Sequence, residues 1–327
     1  MRAILVEGAG PGAVLQLGET DDPVPGPREV LIDVRATSVN RADILQKEGR
    51  YPPPPGASRI LGLECAGTVE RVGEEVRDFA AGDRVMALLS GGGYAEKASV
   101  DAGSVIRVPD LLSDEEAGAF PETFLTAFLN IFLLGEVRRG ATVLIHGGGS
   151  GVGTSAIQLC REEGVRVLVT VGSPEKAKRC VEAGAEVAIN YKEESFAEVV
   201  REATRGEGVD MILDHIGAEY LEPNLASLAI GGRLVVIGGM GGRRGEVDLG
   251  RLLARRLKVI GSTLRSRPPE EKRQIVKAFL GQFGVPLREG RLRPIVDSIF
   301  PLAEAEAAHQ RMLSSQHFGK IVLRVGT

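Results

Sequence analysis

Short apolar runs, each broken by Gly, Pro or Asp, fill the first third of the chain. Residues 2–6, 14–17, 30–37, 67–72 and 84–88 are rich in Val, Ile and Leu, which predicts strands of a compact, mostly β domain. The pattern changes after Pro121. Residues 122–134 predict a helix that Gly135 closes. Apolar strands and helix-period segments then alternate. The strands are predicted over 142–146, 166–171, 187–190, 211–214, 233–237 and 257–261, with helices over 151–163, 174–183, 196–204, 218–228 and 249–256. Six apolar strands joined by crossovers describe an α/β, doubly wound parallel sheet. Beyond it come a helix over 269–283, a strand near 295–299, a helix over 303–313 and a final strand over 320–325. That last strand has no place in the parallel series, so it is expected to return to the first domain. The expected division is 1–120 with 266–327 as one domain and 121–265 as the other, with the functional cleft between them.

Length and composition narrow the class. The 327 residues are enough for two domains with ample core, and 43% are hydrophobic. The net charge is −4 and no long basic run occurs, which argues against nucleic acid or an anionic membrane as partner. No apolar run approaches the ~18 residues of a membrane span, and the first apolar stretch is too soon broken for a signal peptide. Three widely spaced cysteines (Cys65, Cys160, Cys180) fit a reducing compartment, so a cytoplasmic location is expected.

The chemistry concentrates at TVLIHGGGSGVG, residues 142–153, followed by TSAIQL. A strand runs into a glycine turn and then into a helix. That order suits a dinucleotide pyrophosphate, because glycines admit close backbone approach and a helix N-terminus offers free N–H groups. Gly148, Gly151, Val152 and Gly153 are the candidate contacts; their spacing is related to, but not identical with, the strict G-x-G-x-x-G pattern. No Lys-Ser/Thr follows, which excludes a P-loop. Tyr94 and Lys97 are three apart, not the four of short-chain dehydrogenases. The second strand of the series ends Thr170-Val171-Gly172-Ser173, without the carboxylate that receives an NAD ribose hydroxyl. Ser173, Lys176 and Tyr191 are instead placed to hold a 2′-phosphate, which points to NADPH. Lys176 also reads as a solvated helix-face lysine.

Seven segments carry a family resemblance: residues 36–67, GGGYAE (91–96), PETFLTAF (121–128), LIHGGGSGVGTSAIQL (144–159), NYK (190–192), LDHIG (213–217) and FGKIVL (318–323). Over essentially its full length the chain resembles the medium-chain dehydrogenase/reductase superfamily. Within it, the chain is similar to the zinc-independent, zeta-crystallin-like quinone oxidoreductases. The resemblance implies a Rossmann doubly wound sheet inserted into a mostly β, GroES-like catalytic domain. Zinc-dependent members hold metal at positions that align with Asn40, Leu63 and Glu122. Leu63 cannot ligate and Asn40 is a poor zinc ligand, so no metal is expected.

Without a metal to polarise an alcohol, the expected acceptor is already electrophilic. The expected reaction is hydride transfer from NADPH to a quinone, with protein positioning and water exclusion as the main aids. Reduction of enals or enones, and a non-catalytic NADPH-binding role, are the alternatives. The resemblance nominates Asn40, Asp43, Tyr51 and Thr126 as catalytic, with Asn40 and Thr126 also touching the nicotinamide ribose or amide. For Tyr51 the alternative is packing on Pro52–Pro55. For Asp43 it is an ion pair with Arg41, and for Thr126 a hydroxyl bonded back to its helix. Glu64 reads as a remnant of a metal's outer shell. Gly238, Gly239, Met240 and Gly241 after the fifth strand, Leu264 and Arg265 after the sixth, and Lys320 from the other domain complete the expected cofactor contacts. His146 reads as the end of a strand, not as a base. A homodimer through the sixth-strand edge, residues 257–263, is expected.

Overall fold

The computed structural model describes residues 1–326. The chain separates into two compact units, Met1–Leu125 with Leu264–Thr327, and Thr126–Thr263.

In the second unit the apolar runs form β8 (Thr142–His146), β9 (Arg166–Val171), β10 (Val187–Asn190), β11 (Val209–Asp214), β12 (Leu228–Val236) and β13 (Lys258–Gly261). All are parallel, in the order β10-β9-β8-β11-β12-β13. Their continuous hydrophobicity has a reason: helices cover a parallel sheet on both faces, so neither side meets water. Leu144, Leu168, Ile189, Ile212 and Leu234 pack with Phe196, Val200 and Leu225 in its core. The connecting helices are α4 (Gly151–Glu163), α5 (Pro174–Ala183), α6 (Phe196–Ala203), α7 (Leu221–Ser227) and α8 (Leu249–Arg255). The strand order reverses between β8 and β11, where the carboxyl ends of such sheets receive ligands.

The first unit holds a seven-stranded sheet, ordered β14-β15-β3-β4-β5-β7 with β6 paired to β3, and a β1–β2 pair. Its strands are β1 (Arg2–Glu7), β2 (Val14–Glu19), β3 (Glu29–Ser38), β4 (Glu64–Val72), β5 (Arg84–Leu88), β6 (Lys97–Asp101), β7 (Val105–Arg107), β14 (Val296–Pro301) and β15 (Lys320–Arg324). The final strand does return to this unit, antiparallel to β3 and parallel to β14. Helices α1 (Arg41–Lys47), α2 (Asp114–Ala117), α9 (Pro269–Arg288) and α10 (Ala305–Leu313) accompany the sheet.

Four elements carried too few periodic residues to be read from sequence: α1, α2, β6 and β7. The helix expected over 122–134 is two pieces. α3 (Pro121–Phe128) gives way to a π-helical stretch, Leu129–Leu134. There the Asn130 side chain donates to the Thr126 carbonyl (2.7 Å), competing with the regular backbone ladder at the changeover. β4 begins three residues earlier than expected, which puts Glu64 and Cys65 on a buried strand.

Candidate active site

The glycine turn links β8 to α4. Ser150 caps the helix: its hydroxyl accepts the Gly153 N–H (3.0 Å) and its carbonyl accepts that of Thr154 (2.9 Å). An α-helix begins with four N–H groups that lack intrahelical partners. The Ser150 hydroxyl takes that of Gly153 and the Gly147 carbonyl takes that of Ser150 (2.9 Å), which leaves the N–H groups of Gly151 and Val152 for an anion. The glycines answer to packing as well. A Cβ on Gly148 would lie 2.6 Å from the Val169 side chain, and one on Gly153 only 2.4 Å from the Gly147 carbonyl oxygen. The close approach at these two positions is therefore to the protein itself. His146 lies buried beneath the turn, its ring nitrogens on Thr170 Oγ1 (3.0 Å) and Asn224 Oδ1 (2.7 Å). Burial pushes it down to about 3, so it is a neutral strand-end residue.

At the tip of β9, Ser173 caps α5 by accepting the Lys176 N–H (3.3 Å). The Tyr191 hydroxyl lies over Gly172, where a Cβ would come within 2.7 Å of it. The structure thus gathers Ser173, the start of α5 with Lys176, and Tyr191 at one strand end. The segment Gly238–Gly241 is laced to the loop after β11 by Met240 N to the His215 carbonyl (3.1 Å) and Gly241 N to the Ile216 carbonyl (2.7 Å). The Met240 side chain is 55% exposed.

The first unit contains a buried polar cluster. Glu64 is fully buried and accepts four hydrogen bonds. They come from Ser38 Oγ (2.5 Å), Asn40 Nδ2 (2.9 Å), Lys320 Nζ (3.0 Å) and the Glu122 N–H (2.9 Å). Lys320 also donates to Asn40 Oδ1 (2.6 Å) and the Val39 carbonyl (3.0 Å). An ammonium has three N–H donors, and all three are engaged here. Lys320 thereby anchors Asn40 and Glu64. Asp43 does not form the alternative ion pair with Arg41 among the described residues. Its oxygens accept the N–H groups of Asn40 (2.8 Å) and Gly62 (2.9 Å), with the Tyr94 hydroxyl at 3.4 Å. Burial outweighs those bonds and pushes Asp43 up to about 6. It starts α1 and thereby orients Asn40.

Arg265 is an internal anchor as well. Its guanidinium is buried, donating to the Ser90 carbonyl (2.9 Å), the Tyr51 carbonyl (3.3 Å) and Gln46 Oε1. It also lies over the Tyr51 ring, 5.3 Å from the centroid. Arg265 therefore holds Tyr51 in place, and Leu264 beside it is buried. Among the described residues the Thr126 hydroxyl has no hydrogen-bond partner; Thr123 is the residue that bonds back to its own helix, at the Ala119 carbonyl (3.3 Å). Cys65 is a buried thiol pushed up to about 12 by desolvation, hence unreactive.

Two members of this cluster escaped the sequence reading. In the sequence Glu122 stands out only as an aligned metal position, and Lys272 belongs to no motif. Glu122 Oε2 is sealed from solvent without a hydrogen-bond partner, although the residue as a whole is partly exposed. Burial, then the neighbouring Glu64, push its carboxyl up to about 8. Lys272 is buried and its ammonium donates to Ser90 Oγ.

The three aligned metal positions do not form a zinc site. Leu63 has no donor atom, and both polar atoms of the Asn40 side chain are committed to Glu64 and Lys320. A buried ammonium 2.6 Å from Asn40 Oδ1 opposes a second cation there.

Comparison with known proteins agrees with this architecture. Residues 26–110 match the alcohol dehydrogenase GroES-like domain family, and residues 151–280 match the family described as zinc-binding dehydrogenase. The quinone oxidoreductase of Rattus norvegicus is 33% identical over 327 residues, 99% of this chain and 97% of that protein. A solved NAD-dependent alcohol dehydrogenase superimposes with a TM-score of 0.86 at 32% identity, covering 100% of both chains. The Escherichia coli quinone oxidoreductase, solved in complex with NADPH, does so with a TM-score of 0.86 at 29% identity, covering 99% of both. A doubly wound unit joined to a GroES-like one, matched end to end at this identity, makes the chain an oxidoreductase of the medium-chain dehydrogenase/reductase superfamily, in its quinone oxidoreductase family.

Proposed function

We propose that the protein is an NADPH-dependent quinone oxidoreductase that works without a metal ion. The observation that carries the cofactor reading is the tip of β9. Val171-Gly172-Ser173 presents no carboxylate, and the Ser173 and Tyr191 hydroxyls stand there with Lys176 on the adjoining helix start. A carboxylate at this point favours a free ribose hydroxyl; hydroxyls and an ammonium favour a 2′-phosphate. The quinone reading is supported by the full-length relatives named for that activity, and by the donor set at Asn40, Leu63 and Glu122, which suits no zinc-assisted alcohol oxidation.

Gly151 and Val152 then bind the pyrophosphate through their N–H groups, while Gly148 and Gly153 keep the turn tight. Gly238, Gly239, Met240 and Gly241 flank the nicotinamide end, with Asn40 and Thr126 as the polar contacts to its ribose or amide. Bound there, the reduced nicotinamide supplies the hydride. Tyr51, fixed by Arg265, orients the acceptor. Lys320, Glu64 and Asp43 act one step removed, by holding Asn40. The chain is proposed to form homodimers along β13, which among the described residues pairs with β12 alone and ends the sheet, and which exposes Val259 by 45%. All three cysteines are free and buried, and among the described residues no helix is long and apolar enough to cross a membrane, so a cytoplasmic setting is proposed.

Steady-state oxidation of NADPH and NADH against a quinone and enone panel tests this reading. A kcat/KM for quinones at least tenfold higher with NADPH is expected. Equal use of NADH, or turnover of enones alone, overturns it.

A further inference from the structure

Glu122 and Lys272 have no role in the reading above, yet both are set into its polar cluster. Glu122 begins α3, and its own N–H is fixed on Glu64 Oε2 at 2.9 Å. Its Oε2 is sealed and unpartnered. An ionised carboxylate oxygen without a donor, beside a second carboxylate, is costly; the neutral acid costs less there. The charged and titratable groups facing it are Glu64 on β4, Asp43 on α1, Lys320 on β15, Lys272 on α9, and Tyr51 and Arg265. Glu64 has its four donors already, and Lys320 has no N–H left. Lys272 differs: among the described residues its ammonium donates to Ser90 Oγ alone, which leaves two of its three N–H groups over. The geometry is a protonated acid with an underused buried cation close by.

We propose that the Glu122 carboxylic acid supplies the proton that completes quinone reduction, and that Lys272 steadies the carboxylate left behind. This rests on the reductase reading. The hydride takes both electrons from the nicotinamide C4–H bond to the quinone, so the nicotinamide is oxidised and the quinone reduced. A new bond to hydrogen forms on the quinone, and negative charge collects on an oxygen. The Glu122 O–H bond breaks, its proton passes to that oxygen, and the hydroquinone results. Lys272 then faces an anion until solvent returns the proton. Proton delivery by a placed acid contributes typically about 10²-fold or more in rate.

The test is the pH profile of kcat for quinone reduction by NADPH. In the wild type kcat falls as pH rises past about 8, where Glu122 ionises. Glu122→Gln lowers kcat about 100-fold and removes that alkaline limb. Glu122→Asp, which keeps the acid, restores part of the rate and the limb. Lys272→Met removes a nearby positive charge, raises the carboxyl's ionisation point and moves the limb to higher pH. A Glu122→Gln enzyme with wild-type kcat and an unchanged alkaline limb overturns the proposal while leaving the reductase reading intact. A wild type that reduces no quinone fells that reading, and the proposal with it.

Discussion

Lys320 Nζ lies 3.0 Å from Glu64 Oε1, with 3% and 0% of the two side chains exposed. A buried pair like this is not itself strong evidence of net stability, because desolvation opposes attraction. Removing one partner is another matter, since a naked charge remains. Lys320→Met is expected to destabilise the protein by about 3–5 kcal/mol in denaturant unfolding. It should also free Asn40 and raise KM for NADPH. A Lys320→Met protein with wild-type stability and KM would deny this pair its anchoring part.

The preference for the phosphorylated cofactor should reside at the tip of β9. A hydrogen bond to a charged group contributes roughly 1.5–3 kcal/mol, or about one to two decades. Lys176→Ala is therefore expected to raise KM for NADPH about 10- to 100-fold and to leave KM for NADH unchanged. Parallel losses for both cofactors would remove Lys176 from the recognition.

Two buried histidines contribute to the loss of stability in acid. Desolvation lowers His146 to about 3 and His309 to about 4, against about 6.5 in an unfolded chain. A depressed histidine favours the neutral form in the fold, so its contribution is intact above about pH 6.5 and is lost as pH falls toward 4. Unfolding free energy should decline over that window. His309→Gln, which replaces a ring bonded to Tyr94 at 3.1 Å, should flatten part of the decline. An equally steep decline in that variant would place the acid sensitivity elsewhere.

Glycine at 153 is required by a contact internal to the turn. A Cβ there meets the Gly147 and Gly148 carbonyl oxygens at 2.4 and 2.6 Å. Gly153→Ala must shift the backbone that presents the Gly151 and Val152 N–H groups. Calorimetric titration is expected to show at least tenfold weaker binding of both NADPH and NADH, in contrast to Lys176→Ala. Undiminished affinity would mean that the turn tolerates the shift.

Several features followed from local pattern alone. Strand runs such as 142–146 and 166–171, the capped glycine turn at 147–153 and the missing carboxylate before Ser173 are written in neighbouring residues. Periodicity, turn chemistry and helix caps act over a few positions, and a single chain displays them directly. Full-length segment order added the family.

What tertiary structure decided is which charges meet. Lys320 and Glu64 are 256 positions apart, and Arg265 and Tyr51 are 214 apart. No spacing rule links such residues, so the sequence alone does not show that Lys320 and Arg265 are internal anchors. Glu122 shows the same limit: its side chain looks like any helix-start glutamate until packing seals one oxygen away from every donor. Burial is a property of the assembled fold, and burial is what turns a common carboxylate into a store for a proton.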